Sequence, residues 1–340
     1  MTTSSPAIQF YPSLFDRTIS RRRSSWTLVW IALIFVGFAV VTFTLDGESE
    51  SLTTPGFWRT ALTSPAIIIY VLAVAPSLQR MGPEVIRAFR PVVQLDDESF
   101  ARLVWESSYV SPRGEILSLA IGALAGAILT NTGSTWSAGL SWTRLYWIVT
   151  DAVLLGLLAW VVYVSIVGTR QTVALHQQPL NIDLFDLSPF IPIGRQSLIL
   201  ALVFIGGILI SLLLGVQPES LRVPQFWVTY TVMALIPVLI FFLNMRPTHH
   251  VLSEEKKKRQ GSLERRFRTV FHQLEQQENQ PDSRLAEEIN VLSIYEQHLN
   301  AARTWPYNTS QLRTLAITVL VPLLTLLVRL LLNRIFQVSL

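Results

Sequence analysis

The chain has 340 residues, of which 50% are hydrophobic and 15% charged, and its mean hydropathy is +0.42. A soluble domain carries about 25% charged residues, so the composition excludes an ordinary soluble enzyme and a disordered chain together. The net charge of +4 and pI of 9.6 reflect membrane orientation and not nucleic-acid binding, since no nucleic-acid recognition pattern accompanies them. With no cysteine, disulfides, thiolate metal sites and cysteine nucleophiles are ruled out.

The first 25 residues, rich in Ser, Thr and Arg with Asp16 the one acid, faintly resemble a transit peptide. They read as a solvated tail anchored by Arg21, Arg22 and Arg23. Seven apolar blocks follow, at 26–45, 60–79, 116–132, 145–168, 196–216, 225–244 and 314–332. Blocks of this length cross a hydrocarbon core of roughly 30 Å as helices, because lipid offers no partner for an open backbone. Pro65 and Pro76 leave the second block the shortest uninterrupted core. Were it not a span, every later orientation would invert.

With the N-terminus inside, cytoplasmic segments hold 22 of the 27 basic residues, the imbalance that membrane insertion imposes. Trp26, Trp58, Trp142, Trp147 and Trp227 fall at the span ends, where indole rings prefer to sit. The expected location is an integral membrane, read as the cell membrane, with the N-terminus cytoplasmic and the C-terminus outside.

Between the second and third blocks, Met81, Val85, Ala88 and Phe89 at helical spacing predict a surface-lying helix. Asp96, Asp97 and Glu98 then predict the start of a short helix through Phe100, Leu103 and Val104. From 251 to 303 two apolar stripes recur at helical spacing: Leu263, Phe267, Phe271 and Leu274, then Leu285, Ile289, Leu292, Tyr295 and Leu299. The intervening Glu278–Asp282 stretch, with Pro281, breaks the pattern. The stripes predict an antiparallel helical hairpin setting Leu263 against Leu299 and Phe267 against Tyr295. It either assembles as a coiled coil with another subunit or partner, or packs on its own loops.

The fold class is therefore all-α: a polytopic membrane bundle of about seven spans with a cytosolic helical hairpin. The expected domains are a tail at 1–25, a six-span membrane domain at 26–244, the hairpin at 245–313, and a seventh span with a short outer tail at 314–340.

Few residues stand out chemically. No phosphate-binding loop, His-Glu-x-x-His or Gly-x-Ser-x-Gly occurs. His176, His249, His250, His272 and His298 are not at ligand spacing, so neither a metal nor another cofactor is expected. Asp151 is the one acid inside a predicted span, and Arg329 lies at comparable depth in the seventh. An intramembrane pair between them would be a helix clamp or part of an ion path; the alternative is that both side chains snorkel to the interface. Gly122 and Gly126 have the small-x-x-x-small spacing of close helix packing, and Gly206 and Gly207 could pack closely or loosen the fifth span.

Lys256–Arg259 could attract anionic lipid or belong to a solvated helix start after Glu254 and Glu255. The 181–189 loop reads as docking at the membrane surface or against the hairpin; the alternative is that its acids, Asp183 and Asp186, face a bundle mouth and bind a cation. Thr304–Tyr307 reads as a connector into the last span. Together these predict a non-enzymatic scaffold or signalling protein that assembles through its hairpin, in contact with the bilayer and with a second copy or a protein partner. A transporter or channel is the alternative.

Overall fold

The computed structural model describes residues 25–107, 109–131, 141–216, 224–276, 283–305, 307 and 309–336. The structure is 87% helical with no strand among the described residues. The helices are α1 (Ser25–Leu45), α2 (Pro55–Ala61), α3 (Thr63–Phe89), α4 (Asp97–Ser107), α5 (Pro112–Asn131), α6 (Trp142–His176), α7 (Ile191–Ile210), α8 (Pro224–Gln276), α9 (Ser283–Ala301) and α10 (Thr309–Phe336).

Six segments are long and apolar enough to cross a membrane: Trp26–Leu45, Thr63–Phe89, Asp97–Thr130, Trp142–His176, Ser188–Gly215 and Tyr230–Gln276. The seventh predicted block lies in α10, where many side chains fall outside the described residues. Leu33, Ile34, Ile121, Leu124, Leu239 and Leu324 are all more than half exposed. A soluble monomer does not present so continuous an apolar surface. Length, composition and this apolar belt mark a membrane protein.

The bundle is built around α6. It packs along α5 and also touches α1, α3, α4 and α8, while α7 joins α3, α8 and α10. At the end away from the charged segments, Asp46 accepts the N–H groups of Trp142 (3.1 Å) and Thr143 (2.6 Å), tying the end of α1 to the first turn of α6. The Thr143 N–H is the main reason the Asp46 carboxyl is held below the usual carboxylate range.

Two long helices depart from the sequence reading. The surface helix expected at 80–90 is not a separate element: α3 runs unbroken from Thr63 to Phe89 through Pro76 and Pro83. Its Met81, Val85 and Phe89 are buried, so they face protein and not the bilayer surface. Likewise α8 continues from the sixth apolar block to Gln276 through Pro237 and Pro247, a helix of 53 residues. Proline removes one helical donor and crowds the preceding turn, but neighbouring helices hold the backbone on both sides of each.

The charged end has a core of its own. Val85, Phe89, Phe100, Val104, Leu175, Ile182, Leu184 and Phe190 pack with Leu252, Leu263, Val270, Leu292 and Leu299. An isolated antiparallel bridge between Val93 and Leu180 holds the two connecting loops together beneath α8 and α9. Asp96 caps α4 by accepting the Ser99 N–H (3.0 Å), and Arg90 pairs with Asp97 while lying 4.9 Å over the Phe100 ring.

Helix α9 packs on α8: Lys256 Nζ donates to the Asn300 and Ala302 carbonyls (2.8 and 2.9 Å), and Gln260 to the Asn300 side chain (2.9 Å). The apolar stripes meet the loops as well as each other, so this core is broader than a two-helix seam. The basic run sits in the middle of α8 and not at a solvated helix start. Two of its four charges hold the fold together, Lys256 as above and Arg259 on Glu255 and the Ile182 carbonyl.

Candidate functional site

Two polar sites lie within the bundle. In the first, both carboxylate oxygens of Asp151 accept hydroxyl hydrogen bonds, from Ser64 Oγ of α3 (2.7 Å) and from Thr130 Oγ1 of α5 (3.0 Å). Five residues earlier on α6, the fully buried Tyr146 donates its hydroxyl to the Ala61 carbonyl (2.7 Å). Asp151 thus joins three helices. The Arg329 side chain lies outside the described residues; its helix, α10, packs on α7.

Gly122 and Gly126 lie in the α5–α6 contact. A Cβ at Gly122 would meet the Leu155 carbonyl and the Gly156 Cα, and one at Gly126 the Asp151 carbonyl and the Ala152 Cα. Gly206 of α7 leaves room for the Tyr70 ring, whose hydroxyl donates to the Leu202 carbonyl (3.3 Å).

The second site is a cavity of about 60 Å³ between α3, α6, α7 and α8, toward the charged end. Its polar lining is Ser165, Thr169 and Thr172 of α6, Gln196 and Ser197 of α7, and Asn244 of α8. Trp160 and Leu78 are among the residues that close it. Thr169 Oγ1 lies 3.0 Å from Asn244 Oδ1 and 2.9 Å from the Ser165 carbonyl. Gly168 keeps the wall thin: a Cβ there would stand 3.5 Å from Gln196 Nε2. A water needs roughly 10–15 Å³ of such volume and two to four polar partners, so the cavity has room for a few waters or one small neutral solute. No lining side chain carries a charge, and no nucleophile–base pair is present in it. Among the described residues no three His, Asp or Glu side chains gather as a metal site.

Behind Trp160 lies a group that the sequence reading missed. Glu115 is 1% exposed and accepts the Trp160 indole N–H at 3.1 Å. It stands one residue before the predicted start of the third span, so counting acids within spans passed over it. The cavity residues were overlooked for a similar reason: Thr169, Gln196 and Asn244 lie at predicted span ends, where polar side chains are unremarked.

Leu263, Leu292 and Leu299 are buried in the core of the charged end, with Phe267, Leu285, Ile289 and Tyr295 packed against it. Leu274 is half-buried. Phe271 is 51% exposed, stacked on Phe267 with ring centroids 6.2 Å apart.

The acids of the 181–189 loop serve turns: Asp183 accepts the Phe185 N–H and Asp186 the Ser188 N–H, each at 3.0 Å. The Ser188 contacts hold the Asp186 carboxyl below its usual range. Phe185 then reaches α9, its ring 5.9 Å from Tyr295. Trp305 stacks on His249 of α8 at 3.9 Å, and His249 Nδ1 donates to the Thr304 carbonyl (3.2 Å), fixing the connector into α10.

Comparison with protein-family models, with curated proteins and with solved structures gives no match to this chain.

Proposed function

We propose that this protein is a membrane-anchored scaffold or signalling protein, with seven spans, an inside N-terminus, and α8 and α9 forming a cytosolic hairpin through which two copies assemble. The observation that carries the reading is an unburied apolar face on this module. Phe271, Val291 and Ile294 are 51%, 60% and 48% exposed, in a segment whose many charged residues favour water over lipid. Phe271 and Val291 fall at the same height in the antiparallel register, since their numbers have the same sum as Leu263 and Leu299.

The flanking charges favour a second copy as the occupant. The α8 flank is basic at Arg265 and Arg266, the α9 flank is acidic at Glu287, Glu288 and Glu296, and all five are exposed. A two-fold axis through the apolar face would bring each basic flank against the other copy's acidic one. The test is the detergent-corrected mass of the full chain by light scattering. Val291→Arg with Ile294→Arg is expected to convert a dimer to a monomer while leaving the thermal midpoint within a degree or two, because neither side chain is buried. A wild-type monomer, or a dimer that survives the double change, removes the reading.

The polar cavity supports a second reading, passage of a small neutral polar solute. It is distinguished by solute flux into proteoliposomes that Asn244→Leu abolishes, with the dimer unaffected.

A further inference from the structure

Outside the cavity, α6 and α8 diverge to form an open groove toward the charged end. Its upper part is lined by Ile166, Thr169, Arg170, Val173, Leu243 and Asn244. Its lower part shares Val173, Gln177 and Leu243 with the upper and adds His176, Arg246, Pro247 and His250. The two parts have volumes of about 440 and 380 Å³, against about 60 Å³ for the cavity that the Thr169–Asn244 hydrogen bond separates from them.

Two features set this groove apart. First, its walls are apolar, yet two exposed guanidinium groups, Arg170 and Arg246, enter it, and neither has an ion-pair or hydrogen-bond partner among the described residues. Several other cations of this end are engaged, Arg90 by Asp97, Arg102 by Glu98, Arg195 by Glu84, Arg259 by Glu255 and Arg268 by Glu264; Arg170 and Arg246 are two unpaired ones, among the described residues, that share an apolar groove. Second, His176 is 9% exposed, its Nδ1 faces the Thr172 carbonyl at 2.6 Å, and its Nε2 is buried with no partner among the described residues. His250, the other imidazole of the groove, is exposed and lies 3.5 Å from Glu254.

The sequence puts Arg170 two residues past the fourth predicted span and Arg246 two residues past the sixth, which is headgroup depth. We infer that the α6–α8 groove binds an anionic phospholipid, its phosphate held between Arg170 and Arg246 and an acyl chain lying along Ile166, Val173 and Leu243. Charge complementarity selects the occupant: a guanidinium presents a planar fork of donors that matches phosphate oxygens, and basic pockets between helices at the cytoplasmic face are where anionic headgroups collect. An apolar wall continuous with the belt suits a chain that the headgroup alone would not need. The inference rests on the membrane placement of the proposed function but not on assembly, so a monomeric protein leaves it intact.

The test is native mass spectrometry of the full chain in detergent, titrated with phosphatidylglycerol or with phosphatidylcholine of the same acyl chains. Wild type is expected to retain phosphatidylglycerol in preference. Arg170→Gln with Arg246→Gln is expected to weaken that retention roughly 10- to 30-fold, as for two interfacial charges. Lys257→Gln with Lys258→Gln, which removes the same charge from exposed positions of α8, is expected to leave it within about twofold. Equal retention of both lipids, an unchanged double arginine variant, or an equal loss in the lysine control overturns the inference. If inorganic phosphate raises the thermal midpoint as much as phosphatidylglycerol does, the site is one for free phosphate and the lipid assignment fails. Should the double variant elute as aggregate, Arg170→Gln and Arg246→Gln are measured singly against the same criteria.

Discussion

Replacing Gly122 or Gly126 with alanine is expected to destabilise the bundle by about 1–3 kcal/mol each, the range for overpacking a close contact, and leucine at either position is expected to prevent folding. At Gly122 the added Cβ would stand 2.6 Å from the Ala159 Cβ and 2.9 Å from the Gly156 Cα; at Gly126 it would stand 2.8 Å from the Ala152 Cα. Each would also press on a backbone carbonyl, Leu155 or Asp151. Backbone cannot rotate away as a side chain can, so α5 and α6 must separate. Separation would also pull Thr130 from Asp151, which it reaches at 3.0 Å. Alanine gains roughly 1 kcal/mol over glycine in helix propensity, which offsets only part of this. Gly37 of α1 has nothing within 4 Å, so Gly37→Ala isolates the propensity gain and is expected to hold or raise the thermal midpoint. Thermal midpoints of the three variants in one detergent check the ordering; equal midpoints would show that α5 and α6 are not in close contact.

The second large effect is expected at Trp160. Its indole is 4% exposed, fills the wall between the cavity and Glu115, and donates to a carboxyl group that is 1% exposed. Trp160→Phe retains much of the ring volume but leaves a buried acceptor short of a donor, a loss of about 1–3 kcal/mol. Trp160→Leu adds a void to that loss and is expected to cost about 3–5 kcal/mol. Glu115→Leu alone removes the carboxyl acceptor of the indole N–H. When both partners become apolar the hydrogen bond is lost once and not twice, so Trp160→Phe with Glu115→Leu is expected to cost less than the sum of the single changes. Denaturation of the four proteins in a double-mutant cycle measures the coupling. Strict additivity would mean that the hydrogen bond contributes nothing.

The apolar blocks locate the membrane helices because helix-length hydropathy is a property of the segment alone. The Asp96 cap is equally local, and so is the turn before α7 that begins at Ser188. Continuity is not local. Pro76 bounds the short core of the second predicted span, yet α3 passes through it and Pro83 without a break, and α8 likewise passes through Pro237 and Pro247, since the packing on both sides of each proline comes from distant helices. The stripes of α8 and α9 were visible in Leu263 and Leu299, but not that Phe89, Leu175 and Phe190 would share their core. That depends on two loops meeting at Val93 and Leu180, a pairing with no periodic signal. The cavity was hidden because its polar side chains come one to three at a time from three helices, and none is unusual within its own.

Continuity of α8 couples the two ends of the molecule, because Asn244 at the cavity and Leu263 and Val270 in the charged-end core then belong to one rigid element. The absence of native cysteine allows two spin labels to be placed cleanly at Leu239 and His272, both exposed. Pulsed electron–electron resonance on the reconstituted chain measures the distance between them. An unbroken helix predicts one narrow distribution at about 50 Å, from a rise of 1.5 Å per residue. A broad distribution, or one centred below about 40 Å, would place a hinge at Pro247 and contradict a rigid link between the membrane bundle and the charged-end core.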